Sequence, residues 1–178
     1  MSKNYVIIGF MGSGKTTVSR YLSTHYGYTL RDTDSLIERA AGKTIGLIFK
    51  EDGEVAFRDA ETALLTRLCR EAGAGSVEEG GMAAGMVIST GGGIVLREEN
   101  RELLRQIGEV IYLRIRPETV LKRLRRDRKR PLLQGPDREK KVRELMDFRE
   151  PMYQAAADRI LDVDESTPAW TARIILGE

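Results

Sequence analysis

Gly9-Phe10-Met11-Gly12-Ser13-Gly14-Lys15-Thr16 fits the phosphate-binding P-loop pattern, Gly-x-x-x-x-Gly-Lys-Thr, at every fixed position. Tyr5-Val6-Ile7-Ile8 before it is a short apolar β-branched run with the character of a buried strand. Thr17-Val18-Ser19-Arg20-Tyr21-Leu22 after it has helical spacing. In that setting the glycines let successive backbone N–H groups point into one concavity, and the helix N-terminus adds its partial positive charge. Lys15 can reach the β- and γ-phosphates and the Thr16 hydroxyl can hold Mg²⁺, so a nucleoside triphosphate site is expected.

Working outward, apolar β-rich runs at 5–8, 28–31, 86–89, 109–114 and 159–163 alternate with helical patterns at 15–26, 54–70, 98–106, 117–126, 137–157 and 168–176. Pro117 and Pro168 stand where a first-turn proline suits a helix. Strand–helix alternation with short turns predicts a parallel sheet covered on both faces, with ligands beyond the carboxyl ends of its strands. Two stretches break the pattern. The Gly- and Ala-rich 72–85 is expected to be a flexible surface loop, and the charge-dense 125–137, with two prolines and a glycine, a second mobile segment.

Composition narrows the class. The chain has 178 residues, enough for one domain with a sizeable core, and 29 basic residues against 27 acidic ones make no whole-chain case for nucleic acid or membrane. One cysteine, Cys69, and one histidine, His25, provide neither an internal disulfide nor a structural zinc site. No apolar run approaches the roughly 20 residues of a membrane span. A strand so close to Met1 leads us to expect no signal peptide and a cytoplasmic enzyme.

Four constellations carry chemistry. Asp32-Thr33-Asp34 follows the second strand. Ser35-x-x-Glu38 is expected to cap the next helix by itself, leaving one aspartate for metal and one for a reacting hydroxyl. Ser89-Thr90-Gly91-Gly92-Gly93 ends the third strand without the usual Walker B aspartate, which moves the second metal anchor to Asp32. Three glycines in a row fit a plain wide turn or a bare backbone that approaches a ligand closely, and the latter is expected. Two alternatives fit Arg58: a surface partner of Glu54 at i, i+4, or a guanidinium fork for a substrate carboxylate. Positions 122–130, with seven basic residues, fit a solvated helix face or a lid that lays arginines over the phosphates, with Arg130-Pro131-Leu132-Leu133 at its tip. A nucleic-acid patch lacks the accompanying aromatics. His25 is expected to be a packing or surface residue.

Taken in order, the P-loop, Asp32-x-Asp34, Gly53-Glu-x-x-Phe-Arg58-Asp-x-Glu61, Gly91-Gly92-Gly93, Arg130-Pro-Leu-Leu and Arg149-x-Pro-x-Tyr153 resemble the shikimate kinases over nearly the whole chain. These belong to the nucleoside monophosphate kinase-like P-loop group and transfer the ATP γ-phosphoryl to the 3-hydroxyl of shikimate, in aromatic amino-acid biosynthesis. The resemblance implies a single three-layer α/β/α P-loop kinase domain over 1–178. It would have a five-stranded parallel sheet, a mobile lid at about 125–138 and a substrate-binding segment at about 32–61. It implies an ATP site made of Gly12, Ser13, Gly14, Lys15, Thr16, Thr17, Arg123, Arg130 and Pro168, with Arg123 and Pro168 on either side of adenine. Lys15 and Arg130 would stabilise the transferring phosphoryl, and Thr16 and Asp32 would hold Mg²⁺, with Ser89 ordering water around it. Asp34, Arg58, the Gly92 backbone and Arg149 would bind shikimate, with Asp34 as general base.

The expected ligands are therefore shikimate, ATP and Mg²⁺, and the expected state is a monomer. One departure stands out: 72–85 lengthens the connection before the third strand and holds no matched motif. The alternatives are a kinase of another polyol or sugar acid, which would lack the carboxylate fork, and a nucleotide-binding module without turnover, which would not retain Lys15, Asp34 and Arg130. A GTPase is disfavoured because no Asn-Lys-x-Asp motif is present.

Overall fold

A computed structural model of the chain describes residues 3–73, 85–125 and 137–178. Five strands, β1 (Tyr5–Ile8), β2 (Thr29–Asp32), β3 (Met86–Ser89), β4 (Glu109–Arg114) and β5 (Arg159–Asp162), form one sheet in the order β2-β3-β1-β4-β5. Every neighbouring pair is parallel, with Tyr5 opposite Val87 and Glu109, and Asp32 opposite Ser89. The central strand β1 is buried along its length, as a strand covered on both faces must be.

Among the described residues eight α-helices lie in the connections and after β5: α1 (Lys15–Tyr26), α2 (Thr33–Ala41), α3 (Ile45–Glu51), α4 (Gly53–Gly73), α5 (Glu98–Ile107), α6 (Pro117–Arg123), α7 (Arg138–Ala156) and α8 (Pro168–Leu176). The crossover from β1 to β2 runs one way across the sheet, and those from β2 to β3, β3 to β4 and β4 to β5 run the other way. Right-handed crossovers in opposite directions put their helices on opposite faces. Accordingly α1 packs with α8, while α5 packs with α4 and α7. This is the expected three-layer α/β/α arrangement. Among the described residues no helix is long and apolar enough to cross a membrane.

All five strands lie within a residue or so of their predicted bounds, and six helices were anticipated in place. The differences have local causes. The capping-box expectation for Ser35 and Glu38 is wrong: Asp32 is the N-cap of α2, its Oδ1 accepting from Ser35 N at 3.0 Å, and Glu38 Oε1 accepts from Ile45 N at 2.9 Å. Asp32 is thus not freed from capping. It caps with Oδ1 and keeps Oδ2 for other partners. The short helix α3 was not foreseen. Its signal was Thr44, whose hydroxyl accepts from Leu47 N at 3.3 Å, but seven residues are too few for periodicity to show. The expected lid, with Arg130, falls largely on 126–136, and most of the long 72–85 connection on 74–84; both lie outside the described residues.

Candidate active site

Because the strands are parallel, their carboxyl ends share one edge of the sheet. β2, β3 and β1 are neighbours, so Asp32-Thr33-Asp34, Thr90-Gly91-Gly92-Gly93 and the P-loop meet there. Tertiary order, not sequence distance, makes one site of three loops.

The P-loop closes round its own lysine. Gly12 and Gly14 have φ of +81° and +93°, a region that side chains avoid, and Gly14 forms the N-cap of α1. Lys15, 9% exposed, sends Nζ to the carbonyls of Gly9 at 2.8 Å and Phe10 at 2.9 Å. Next to it Thr16 Oγ1 lies 3.1 Å from Ser89 Oγ and 3.4 Å from Asp32 Oδ2. Two hydroxyls and one carboxylate form a hard oxygen set that fits Mg²⁺, which takes one or two carboxylates and leaves its other positions to phosphate and water. No group of three or more His, Cys, Asp and Glu side chains suited to a metal occurs among the described residues.

Arg123, at the end of α6, ties the P-loop to the loop after β5. Its Nη1 donates to Gly12 O, and its Nη2 donates to Val163 O and Asp164 O, each at 3.0 Å. The loop after β5 leads to α8, where Thr167 is the N-cap and Pro168 the first helical residue. Thr17 lies on α1 and faces solvent.

The glycine turn after β3 is pinned from three directions. Thr33, buried between the two aspartates, accepts from Gly91 N at 3.0 Å. A Cβ on Gly91 would lie 2.5 Å from Asp34 Oδ1 and 3.4 Å from Glu61 Oε1, and one on Gly93 would lie 2.5 Å from Arg58 Nη1. The bare backbone therefore makes room for two of the chain's own site side chains, a more specific reason for glycine than close approach to a ligand. Arg149, 8% exposed, donates from Nη1 to Gly92 O at 3.3 Å, and the Tyr153 hydroxyl donates to the same carbonyl.

Arg58 does pair with Glu54, as one of its two alternatives expected, and a second acid, Glu61, holds it as well. Its Nη2 donates to Glu54 Oε1 at 3.1 Å on the surface side, while Nη1 donates to Glu61 Oε2 at 2.7 Å on the inside. The guanidinium also lies 5.3 Å and 5.9 Å from the ring centres of Phe57 and Phe49. Its side chain is 11% exposed and that of Glu61 only 1%, so the inner pair is the desolvated one. Burial pushes the Glu61 carboxyl above the ordinary carboxylate range against the opposing pull of Arg58; Asp34 raises it further and Arg149 lowers it. These four charged groups share one electrostatic neighbourhood.

Thr33, Glu61 and Tyr153 received no role from the sequence. Glu61 and Tyr153 stood inside the quoted motifs, while Thr33 had no signal beyond its place between two aspartates. His25 stacks on Tyr21 with ring centres 3.9 Å apart, on the exposed side of α1.

Residues 11–177 match the family model for shikimate kinase. The chain is 41% identical over 173 residues to a shikimate kinase of Pseudomonas aeruginosa, covering 97% of this chain and 94% of that one. It is 42% identical over 180 residues to a shikimate kinase of Thiobacillus denitrificans, covering 100% and 92%. The solved structure of a shikimate kinase from Acinetobacter baumannii in complex with shikimate superimposes with a TM-score of 0.83 at 38% identity, covering 98% of this chain and 90% of that one.

Proposed function

The chain belongs to the shikimate kinase family, and from that premise we propose that it transfers the γ-phosphoryl group of ATP to the 3-hydroxyl of shikimate. The observation that carries this reading is the turn at Gly91–Gly93. One carboxylate, Asp34, and two guanidinium groups, Arg58 and Arg149, are packed on consecutive residues of that turn, one strand away from the P-loop. A small hydroxylated carboxylate needs such a set: guanidinium for its charge and a carboxylate to take a hydroxyl proton.

Arg58 and Arg149 hold the substrate carboxylate, and the Gly92 backbone contacts the bound ring. Arg58 is prepared for this by Glu61, which fixes one edge of the guanidinium from below. Asp34, at the start of α2, accepts the proton of the attacking hydroxyl as its oxygen bonds to the γ-phosphorus and ADP leaves. The P-loop N–H groups, with those of Gly12, Ser13 and Gly14 among them, cradle the phosphates, and Lys15 supplies positive charge where the transferring group becomes most negative. Arg130, outside the described residues, is assigned by resemblance to the same task, and Arg123 and Pro168 to the adenine. Thr16 and Asp32 would hold Mg²⁺, with Ser89 against Thr16. When bound, Mg²⁺ neutralises the β- and γ-phosphate oxygens and so eases attack.

The test is direct. The purified chain should release ADP from ATP with shikimate and Mg²⁺ and not with gluconate, a nucleoside monophosphate or no acceptor. Turnover with gluconate and none with shikimate would refute the assignment.

A further inference from the structure

Tyr153 closes the motif Arg149-x-Pro-x-Tyr153, and nothing in the proposed chemistry uses it. It stands four residues after Arg149 on α7, so both side chains leave the same helix face. It is 1% exposed, and its ring stacks on Tyr112 with centres 4.9 Å apart and planes 20° from parallel. The Tyr112 hydroxyl donates to Glu150, which steadies the second ring of the stack. A ring held this way has little choice of where its hydroxyl goes, and the hydroxyl goes to Gly92 O. Burial pushes the Tyr153 phenol up to about 12, so it stays a proton donor at any working pH.

The acceptor is the noteworthy part. Gly92 O is the middle carbonyl of a three-glycine turn, where the chain has most freedom to lose. It takes two donors, the Tyr153 hydroxyl and Arg149 Nη1, which fills the two lone pairs of a carbonyl. Gly92 O thus joins the turn to the substrate-side guanidinium, and the phenol is the part of that junction fixed by aromatic packing.

We propose that Tyr153 is a positioning residue for the acceptor half of the site: its hydroxyl fixes the Gly92 carbonyl and, through it, both the Gly92 backbone and the Arg149 guanidinium. This rests on the reading that shikimate binds at this turn. On that reading Tyr153 acts through the Gly92 backbone and Arg149, the groups assigned to the substrate. Without its hydroxyl, Gly92 O keeps, among the described residues, the 3.3 Å bond from Arg149, and turn and arginine shift together.

Tyr153→Phe keeps the ring and the stack and removes only the donor. The expected result is a KM for shikimate raised about 3- to 10-fold, the range of one lost hydrogen bond, with KM for ATP within about twofold. Faster amide hydrogen exchange at Gly93, which shares its peptide plane with Gly92 O, should accompany it. Tyr112→Phe, which keeps the stacked ring and leaves the Tyr153 hydroxyl on Gly92 O, should leave both KM values within about twofold of wild type. A lowered melting temperature with an unchanged shikimate KM would overturn the proposal and leave Tyr153 as packing, as would an equal rise in both KM values. Failure of the wild-type chain to phosphorylate shikimate would instead overturn the functional reading, so the two failures are distinguishable.

Discussion

Replacing Gly91 by alanine perturbs the placement of Asp34 more directly than that of any other side chain. The added Cβ would lie 2.5 Å from Asp34 Oδ1, where real Cβ atoms essentially never come within 3.0 Å. Gly91 is not among the residues with positive φ, so alanine is compatible with its backbone and strain there does not confuse the result. The carboxylate must give way by at least about 0.5 Å, and a misplacement near 1 Å in a catalytic group costs on the order of 10²-fold. Asp34 has little room to yield, because Glu61 Oε1, also acidic, lies 3.4 Å from the same Cβ position and Asp34 belongs to the first turn of α2, anchored by its Asp32 cap. We expect Gly91→Ala to lower kcat by about 10- to 100-fold. Gly93→Ala puts a Cβ 2.5 Å from Arg58 Nη1 and 2.9 Å from its Cζ, so it should act mainly on the KM for shikimate. Gly92→Ala meets only ordinary contacts at 3.6 Å and serves as the control for the fold, with an unchanged melting temperature. A coupled assay of ADP release, with shikimate and ATP varied in turn, reads all three. If Gly91→Ala folds normally and keeps kcat within about twofold, close packing of Asp34 on Gly91 has no bearing on catalysis and the reasoning fails.

Asp34→Asn keeps shape and removes the proton acceptor, so kcat should fall by about 10²- to 10⁴-fold; wild-type turnover would take Asp34 out of the mechanism. Glu54→Gln tests the outer partner of Arg58: its carboxylate is largely exposed, and loss of one i, i+4 pair should change stability by only about 0.2–0.5 kcal/mol, with shikimate KM unmoved. Glu61 gives a pH signature. Its carboxyl is raised in the folded state, so the stability it contributes is complete below its ordinary value of 4.5 and is lost as pH rises through the folded value. Thermal melts from pH 4 to 8 should show wild type losing ground to Glu61→Gln as pH rises, and a pH-independent gap between them would contradict the buried-carboxylate account.

The sequence by itself determined the parallel sheet and the nucleotide loop, because both rest on local patterns: short apolar runs between helical periods, and a glycine spacing that only one backbone shape satisfies. It also pointed to Asp32, Asp34 and Gly91–Gly93 as neighbours, since they end or directly follow β2 and β3 and parallel strands send such residues to one edge, whereas Arg58, Arg123 and Arg149 lie on helices. What each residue does with its atoms was decided by tertiary structure. Asp32 both caps α2 and faces Thr16, against the expectation that Ser35 and Glu38 would relieve it of capping, because the chain turns into the helix at Asp32 itself. Arg58 divides between an exposed and a buried acid, which i, i+4 spacing could not separate because burial is set by what α4 packs against. Gly91 and Gly93 are glycines because Asp34 and Arg58, from two other segments, occupy the space a Cβ would need. Contacts between segments far apart in the chain leave no periodic trace, and Tyr153 reaching across to Gly92 is of that kind.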